Sequence, residues 1–173
     1  MKITKIENFI VDAGWRPWGF VKVETDEGVT GRGECSDGRS PNGVAGTIED
    51  LKPVLIGTDP REFEMRFWDM YRSTRQSPGG IAAKALAGLD CAFIDIKAKS
   101  LGISVPELFG GPTRDRVRVY WSHCGTSRVR NHELVGASPI ISWDDITDLG
   151  KEVVAKGFTA LKTNVIIPGD DPI

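Results

Sequence analysis

Apolar and polar residues mark strand-like segments in the first fifth of the chain. Ile3, Ile6, Phe9 and Val11 open a strand-like region. Phe20, Val21 and Val23 mark a second one between Trp18 and Glu24. Asp26-Glu27-Gly28 has turn chemistry, and Val29 to Cys35 returns, so the pattern predicts a hairpin within an antiparallel sheet. The period then lengthens. Thr47 to Leu55 predicts a helix limited by Pro53 and closed at Gly57. Asp59-Pro60-Arg61-Glu62 has the composition of a helix start, with Phe63, Phe67, Met70 and Tyr71 as the apolar stripe behind it. Gly80 to Leu101 carries the strongest helical period, on Leu86, Leu89, Phe93 and Ile96, with alanines around the stripe that let neighbours pack closely. Gly102 suits the left-handed residue after a helix end. Ser104-Val105-Pro106-Glu107 has capping-box form and starts a short helix ended by Gly110-Gly111-Pro112.

From Arg114 the pattern changes again. Val117, Val119 and Trp121 alternate as in a strand. Ser142 caps a predicted helix that turns Ile146, Leu149 and Val153 inward and ends at Gly157. A strand from Phe158 to Ile167 follows, which completes a βαβ unit with parallel strands. The connection from Thr126 to Ile141 is long and polar, in the manner of a functional excursion.

The chemistry concentrates near the end of that last strand, at Lys162-Thr163-Asn164. Residues two apart in a strand share a face, so Lys162 and Asn164 are expected to project together. A lysine and an amide at the C-terminal end of a strand is how barrel enzymes aim polar groups at a substrate. The bland alternatives are a barrel lysine paired with a structural carboxylate and a polar strand end.

Bulk properties narrow the classes. A net charge of −2 and a pI near 5.7 give no reason to expect nucleic acid or an anionic membrane as partner. Cys35, Cys91 and Cys124 show no metal-site or disulfide spacing, which predicts reduced thiols and a cytoplasmic protein. The start has no long apolar stretch of the secretory kind, and no run approaches membrane-spanning length.

The run Ala85 to Lys99, continued by Leu101 to Gly111, resembles the end of the capping domain in the enolase superfamily, in its mandelate racemase and muconate lactonizing enzyme branch. The opening strand and the segment Val21 to Glu34 are similar as well. The resemblance implies an α+β capping domain (antiparallel sheet plus helices) over residues 1–113, followed by the first strands of an incomplete (β/α)8 barrel over 114–173. A full barrel needs roughly 250 residues, and fewer than 60 follow Arg114. The chain is therefore expected to be the N-terminal portion of a longer enzyme.

The resemblance also implies Mg²⁺, bound by carboxylates of later barrel strands, and removal of the α-proton of a carboxylate substrate. In this branch Lys-x-Lys often ends the second barrel strand, the second lysine acting as base. Lys162-Thr163-Asn164 lacks that base and is similar to acid-sugar dehydratases of the galactonate dehydratase kind. Lys162 and Asn164 are then the expected catalytic residues. By family position, a loop with Trp15, Arg16 and Trp18 and a second with Arg39 and Ser40 are expected to cover the substrate, with Arg16 suited to gripping a carboxylate. His123, near the end of the first barrel strand, is a further substrate contact or acid/base group, while His132 reads as exposed loop. Asp90, Asp95, Glu62, Glu64 and Asp69 read as solvated helix faces or salt-bridge partners. No metal ligand is expected within the chain. The expected partners are a small sugar acid and further copies of the chain in a homo-oligomer. Two other functions stay open: a racemase, epimerase or cycloisomerase of the superfamily, and a stand-alone capping module without catalysis.

Overall fold

The computed structural model describes residues 1–14 and 16–164. Packing divides the chain into two units, Met1–Thr113 and Arg114–Ile173. In the first unit, strands β1 (Ile3–Asp12), β2 (Pro17–Thr25) and β3 (Thr30–Glu34) form an antiparallel sheet in the order β1-β2-β3. Ile3 and Ile6 are three apart, so a regular strand would send them to opposite faces. Both are buried, because the register shifts between Ile3 and Lys5 and the bulge returns Ile6 to the inner face. Along β2 the alternation is regular: Gly19, Val21, Val23 and Thr25 are buried. The outer face carries Lys22 between Glu7 and Glu24.

Three long helices follow. Helix α1 runs Pro41–Leu55, six residues earlier than the Thr47 start that the sequence predicts. Asn42, Gly43 and Gly46 are poor helix formers, but Pro41 at the first position and the burial of Val44, Ile48, Leu51 and Leu55 override them. Pro53 lies inside the last turn of α1 and does not end it. Helix α2 runs Phe63–Ser73, later than the predicted start at Asp59. The Asp59 carboxylate accepts bonds from the Arg61 backbone N–H at 2.9 Å and from the Arg61 guanidinium, so it closes a turn instead of capping a helix. Helix α3, Gly80–Ser100, buries Leu86, Leu89, Phe93 and Ile96 as predicted. Gly102 follows with φ +70°, and α4, Val105–Leu108, has the capping box that its sequence announces.

The sheet meets α3 through glycine. A Cβ on Gly33 would collide with the Gly88 carbonyl, one on Gly31 with the Ala92 carbonyl, and one on Gly88 would lie 2.7 Å from the Cys35 Cβ. Helix and strand touch backbone to backbone there. Polar groups of the same helix close the edge of β3: the Asp95 carboxylate accepts the Arg32 N–H at 3.0 Å, and Lys99 donates to the Thr30 carbonyl at 2.9 Å. Asp95 and Asp69 are salt-bridge partners, as expected. Asp90 is not on a solvated face. Its Oδ1 is buried without a hydrogen-bond partner among the described residues, and burial, with Glu64 nearby, raises its pKa.

The second unit is built around Cys124, Ile140, Leu149 and Val153. Helix α5 spans Thr126–Arg130, and α6 spans Trp143–Ala155 behind a Ser142/Asp145 capping box. Among the described residues the two predicted strands meet in one parallel bridge, Trp121 with Leu161, and residues 165–167 of the second predicted strand lie outside the described residues. The rest of the first strand is not formed: Val117 and Val119 are 73% and 64% exposed and join no ladder. Alternation marks what a strand would bury, but a parallel ladder also needs neighbours on its edges. The connection 126–141 is partly ordered into a helix. It contains α5, and Arg128 from α5 is 2% exposed. His132 is half-buried, with Nδ1 enclosed, where an exposed loop residue was expected.

The glycine contacts predict opposite signs for two Gly→Ala changes. Gly33→Ala should cost about 3 kcal/mol through overpacking. Gly46→Ala, in open space on α1, should stabilise by about 0.5–1 kcal/mol. Urea unfolding of both variants checks this; equal effects would refute the close contact.

Candidate functional site

In the first unit the expected substrate loops lie at one end of the sheet. Trp18 is not in a loop. It lies in β2 opposite Val11, and its ring meets Phe20 edge-on at 6.3 Å. The hairpin ladder extends to Asp12 and Pro17, further than the alternation alone suggests. Trp15 lies outside the described residues. The turn beside it is shaped by Gly14 at φ +78°, whose N–H donates to the Asp12 carboxylate at 2.8 Å. Arg16 is exposed, and a Cβ placed on Gly38 would be 3.6 Å from its Cδ, so the first loop touches the second.

The second loop is organised by Asp37. Its carboxylate accepts the Arg39 N–H at 2.8 Å and the Ser40 N–H at 2.7 Å, and it pairs with Lys84 of α3. Lys84 and those two N–H groups together hold its pKa down to about 2. Gly19 fastens the loop's root: its N–H donates to Ser36 Oγ at 3.1 Å, and its carbonyl accepts the Cys35 N–H at 2.8 Å. Arg39 is exposed, and Ser40 ends the loop as the residue before α1, without a side-chain cap bond. The sequence shows Asp37 and Lys84 only as two charges 47 positions apart. Spacing gave no signal for their pairing.

In the second unit Lys162 and Asn164 sit where the parallel bridge ends. The Lys162 N–H donates to the Trp121 carbonyl at 2.9 Å, and the side chain is exposed. Thr163 Oγ1 donates to the Cys124 carbonyl at 3.0 Å. Asn164 lies against Gly125: a side chain on Gly125 would collide with its Oδ1. His123 belongs to the same turn, exposed and at φ +60°. The His123–Gly125 turn therefore packs against the Lys162–Asn164 segment. Burial pushes the Cys124 thiol up, which leaves it a poor nucleophile at neutral pH. Among the described residues no group of three His, Cys, Asp or Glu side chains is placed to hold a metal.

Residues 13–110 match the N-terminal domain of the mandelate racemase / muconate lactonizing enzyme family, which is more than half of the chain. The chain belongs to this family. Unit Met1–Thr113 encloses that match and has the capping-domain architecture of enolase-superfamily proteins, a three-stranded antiparallel sheet with helices. The D-galactonate dehydratase of Variovorax paradoxus (strain S110) is 42% identical over 121 residues, 69% of this chain and 31% of the relative. That of Verminephrobacter eiseniae (strain EF01-2) is 35% identical over 165 residues, 95% of this chain and 38% of the relative. A crystal structure from Burkholderia xenovorans strain LB400, named as a candidate L-alanine-DL-glutamate epimerase, superposes with a TM-score of 0.85 at 36% identity, over 99% of this chain and 44% of that one. That protein has also been solved bound to magnesium and fumarate. The chain thus spans less than half the length of these relatives. No described helix is long and apolar enough to cross a membrane.

The loop geometry gives a pH prediction. The Asp37 pKa is depressed in the folded chain, from 3.8 to about 2. Its bonds are therefore present above pH 3.8 and are lost as pH falls through the lower value. The amide proton signals of Arg39 and Ser40 should titrate with a midpoint near that value, and Asp37→Asn should abolish the titration. A midpoint at the ordinary aspartate pKa would mean that the loop is not held this way.

Proposed function

We propose that this chain supplies the N-terminal part of an enzyme that dehydrates a sugar acid after removing the proton α to its carboxylate. On this reading residues 1–113 are the capping domain and 114–173 begin a (β/α)8 barrel. The observation that carries the proposal is the Lys162-Thr163-Asn164 strand end, anchored through the Lys162 N–H to Trp121. Identity to galactonate dehydratases supports it. An α-proton beside a carboxylate is weakly acidic, because its removal puts a second negative charge on oxygens that already carry one. The exposed ammonium of Lys162 supplies a cation that neutralises that charge as it develops. Asn164 offers hydrogen bonds but takes no proton. The base is then a group outside Lys162-Thr163-Asn164. The reaction removes the α-proton, expels the β-hydroxyl as water and leaves an enol that becomes a 2-keto acid.

Arg16, with Arg39 and Ser40, supplies carboxylate- and hydroxyl-binding groups from the loops, and Trp15 and Trp18 the apolar cover. His123 adds a polar contact at the barrel end. The magnesium implied by the family, and bound in the Burkholderia structure, has no fitting cluster among the described residues here, so no step of this reading runs through it. A second reading has its own support. The Burkholderia relative is named for epimerisation, which starts with the same α-proton and replaces it instead of expelling water.

In the longest natural polypeptide that contains this chain, Lys162→Met should lower kcat roughly 100-fold, the scale of deleting one preorganised electrostatic group. KM should change less, since the charge matters most in the transition state. Kinetics over a panel of sugar acids tests this. Wild-type rates for the variant on every substrate would make Lys162 structural and remove the basis of the proposal.

A further inference from the structure

We infer that Arg128 is a positioning residue that holds the His123–Gly125 turn, and through it the Lys162–Asn164 strand end. The inference rests on the reading of that strand end as catalytic. Arg128 is 2% exposed, yet it is charged. Nη1 and Nη2 donate to the two carboxylate oxygens of Glu152 on α6, at 2.7 and 3.1 Å. Nε donates to the His123 carbonyl at 3.1 Å. An ion pair with one partner buried and the other partly buried is seldom the best use of the space for stability, since apolar residues of the same volume often do as well. What it supplies is direction. The planar fork fixes three bonds at once, which an aliphatic side chain cannot do.

The bond to His123 falls on a strained residue. His123 is at φ +60°, the one non-glycine residue in the left-handed region among those described. Such backbone persists only where its surroundings over-determine it, and it gathers at functional sites. Two residues on, Gly125 leaves the space that Asn164 fills, and between them the Cys124 carbonyl takes the Thr163 hydroxyl. Turning His123 back to ordinary backbone would swing those partners away. A second arm reaches Lys162. Glu152 also binds Lys156 at 2.9 Å, and Lys156 lies 4.3 Å over the Trp121 ring. The Trp121 carbonyl in turn receives the Lys162 N–H.

Two variants in the longest natural polypeptide containing this chain test the assignment. Arg128→Lys keeps a cation for Glu152 but loses the fork. The double replacement of Arg128 and Glu152 by Met keeps the interior filled without charge, in case the first variant folds poorly. Both should lower kcat per active site about 10- to 100-fold, as expected for misplaced catalytic groups, with KM moving within about threefold. Crystal structures of the variants should show His123 out of the left-handed region and Asn164 off Gly125. An unmoved turn overturns the assignment. So does a variant that loses folded protein while each remaining active site keeps the wild-type kcat, because that outcome is structural only. If the wild-type protein turns over no sugar acid, the dehydratase reading fails. The two structures then decide alone: a displaced turn supports the positioning role, and an unmoved one ends it.

Discussion

Everything in the first unit depends on how closely α3 approaches the sheet. Gly31 and Gly33 of β3 meet the carbonyls of Ala92 and Gly88 with no side chain between them. Ordinary residues at these places would force the layers apart. The close approach sets more than the core. Gly88 also touches Cys35, the residue from which the Asp37 loop departs. One helical turn before Gly88, on the same face, Lys84 reaches that loop's carboxylate. Gly19, buried against the Cys35 carbonyl, ties the β1–β2 hairpin to the same point. The contact that packs the domain thus also fixes the start of the loop that presents Arg39 and Ser40.

The second unit solves a similar problem with charge. Among the described residues its apolar cluster is small, and one bridge joins its two strand segments. Directional bonds from Arg128, Thr163 and Trp121 position the strand end instead. Burial without compensation would make such an arginine costly; two bonds to Glu152 and one to a carbonyl leave only part of its capacity unused.

Much of the fold was legible in the sequence because its signals are local. The hairpin turn, the stripe of α3, the capping box before α4 and the Ser142 cap before α6 each follow from neighbouring residues. The failures share a cause as well. The early start of α1 is driven by burial of Val44, a tertiary effect. Asp59 looks like a helix cap but spends its carboxylate on Arg61. Ile3 and Ile6 share a face only through a bulge that no pattern marks. Trp18 moved from loop to strand because cross-strand pairing extends to Pro17. Among the candidate site residues, Lys162 and Asn164 are legible as a motif. The pairs that hold the Asp37 loop in the first unit and the His123–Gly125 turn in the second are not, since Asp37–Lys84 and Arg128–Glu152 join residues 47 and 24 positions apart.

Dehydration and epimerisation diverge after the α-proton leaves. Galactonate and related sugar acids, incubated with the longest polypeptide that carries this chain and with magnesium supplied, should yield a product lighter by one water. Mass spectrometry and carbonyl derivatisation would identify it as a 2-keto-3-deoxy acid. Recovery of an epimer of unchanged mass, with no keto acid formed, would contradict the dehydratase account and place the chain with the epimerases of its family.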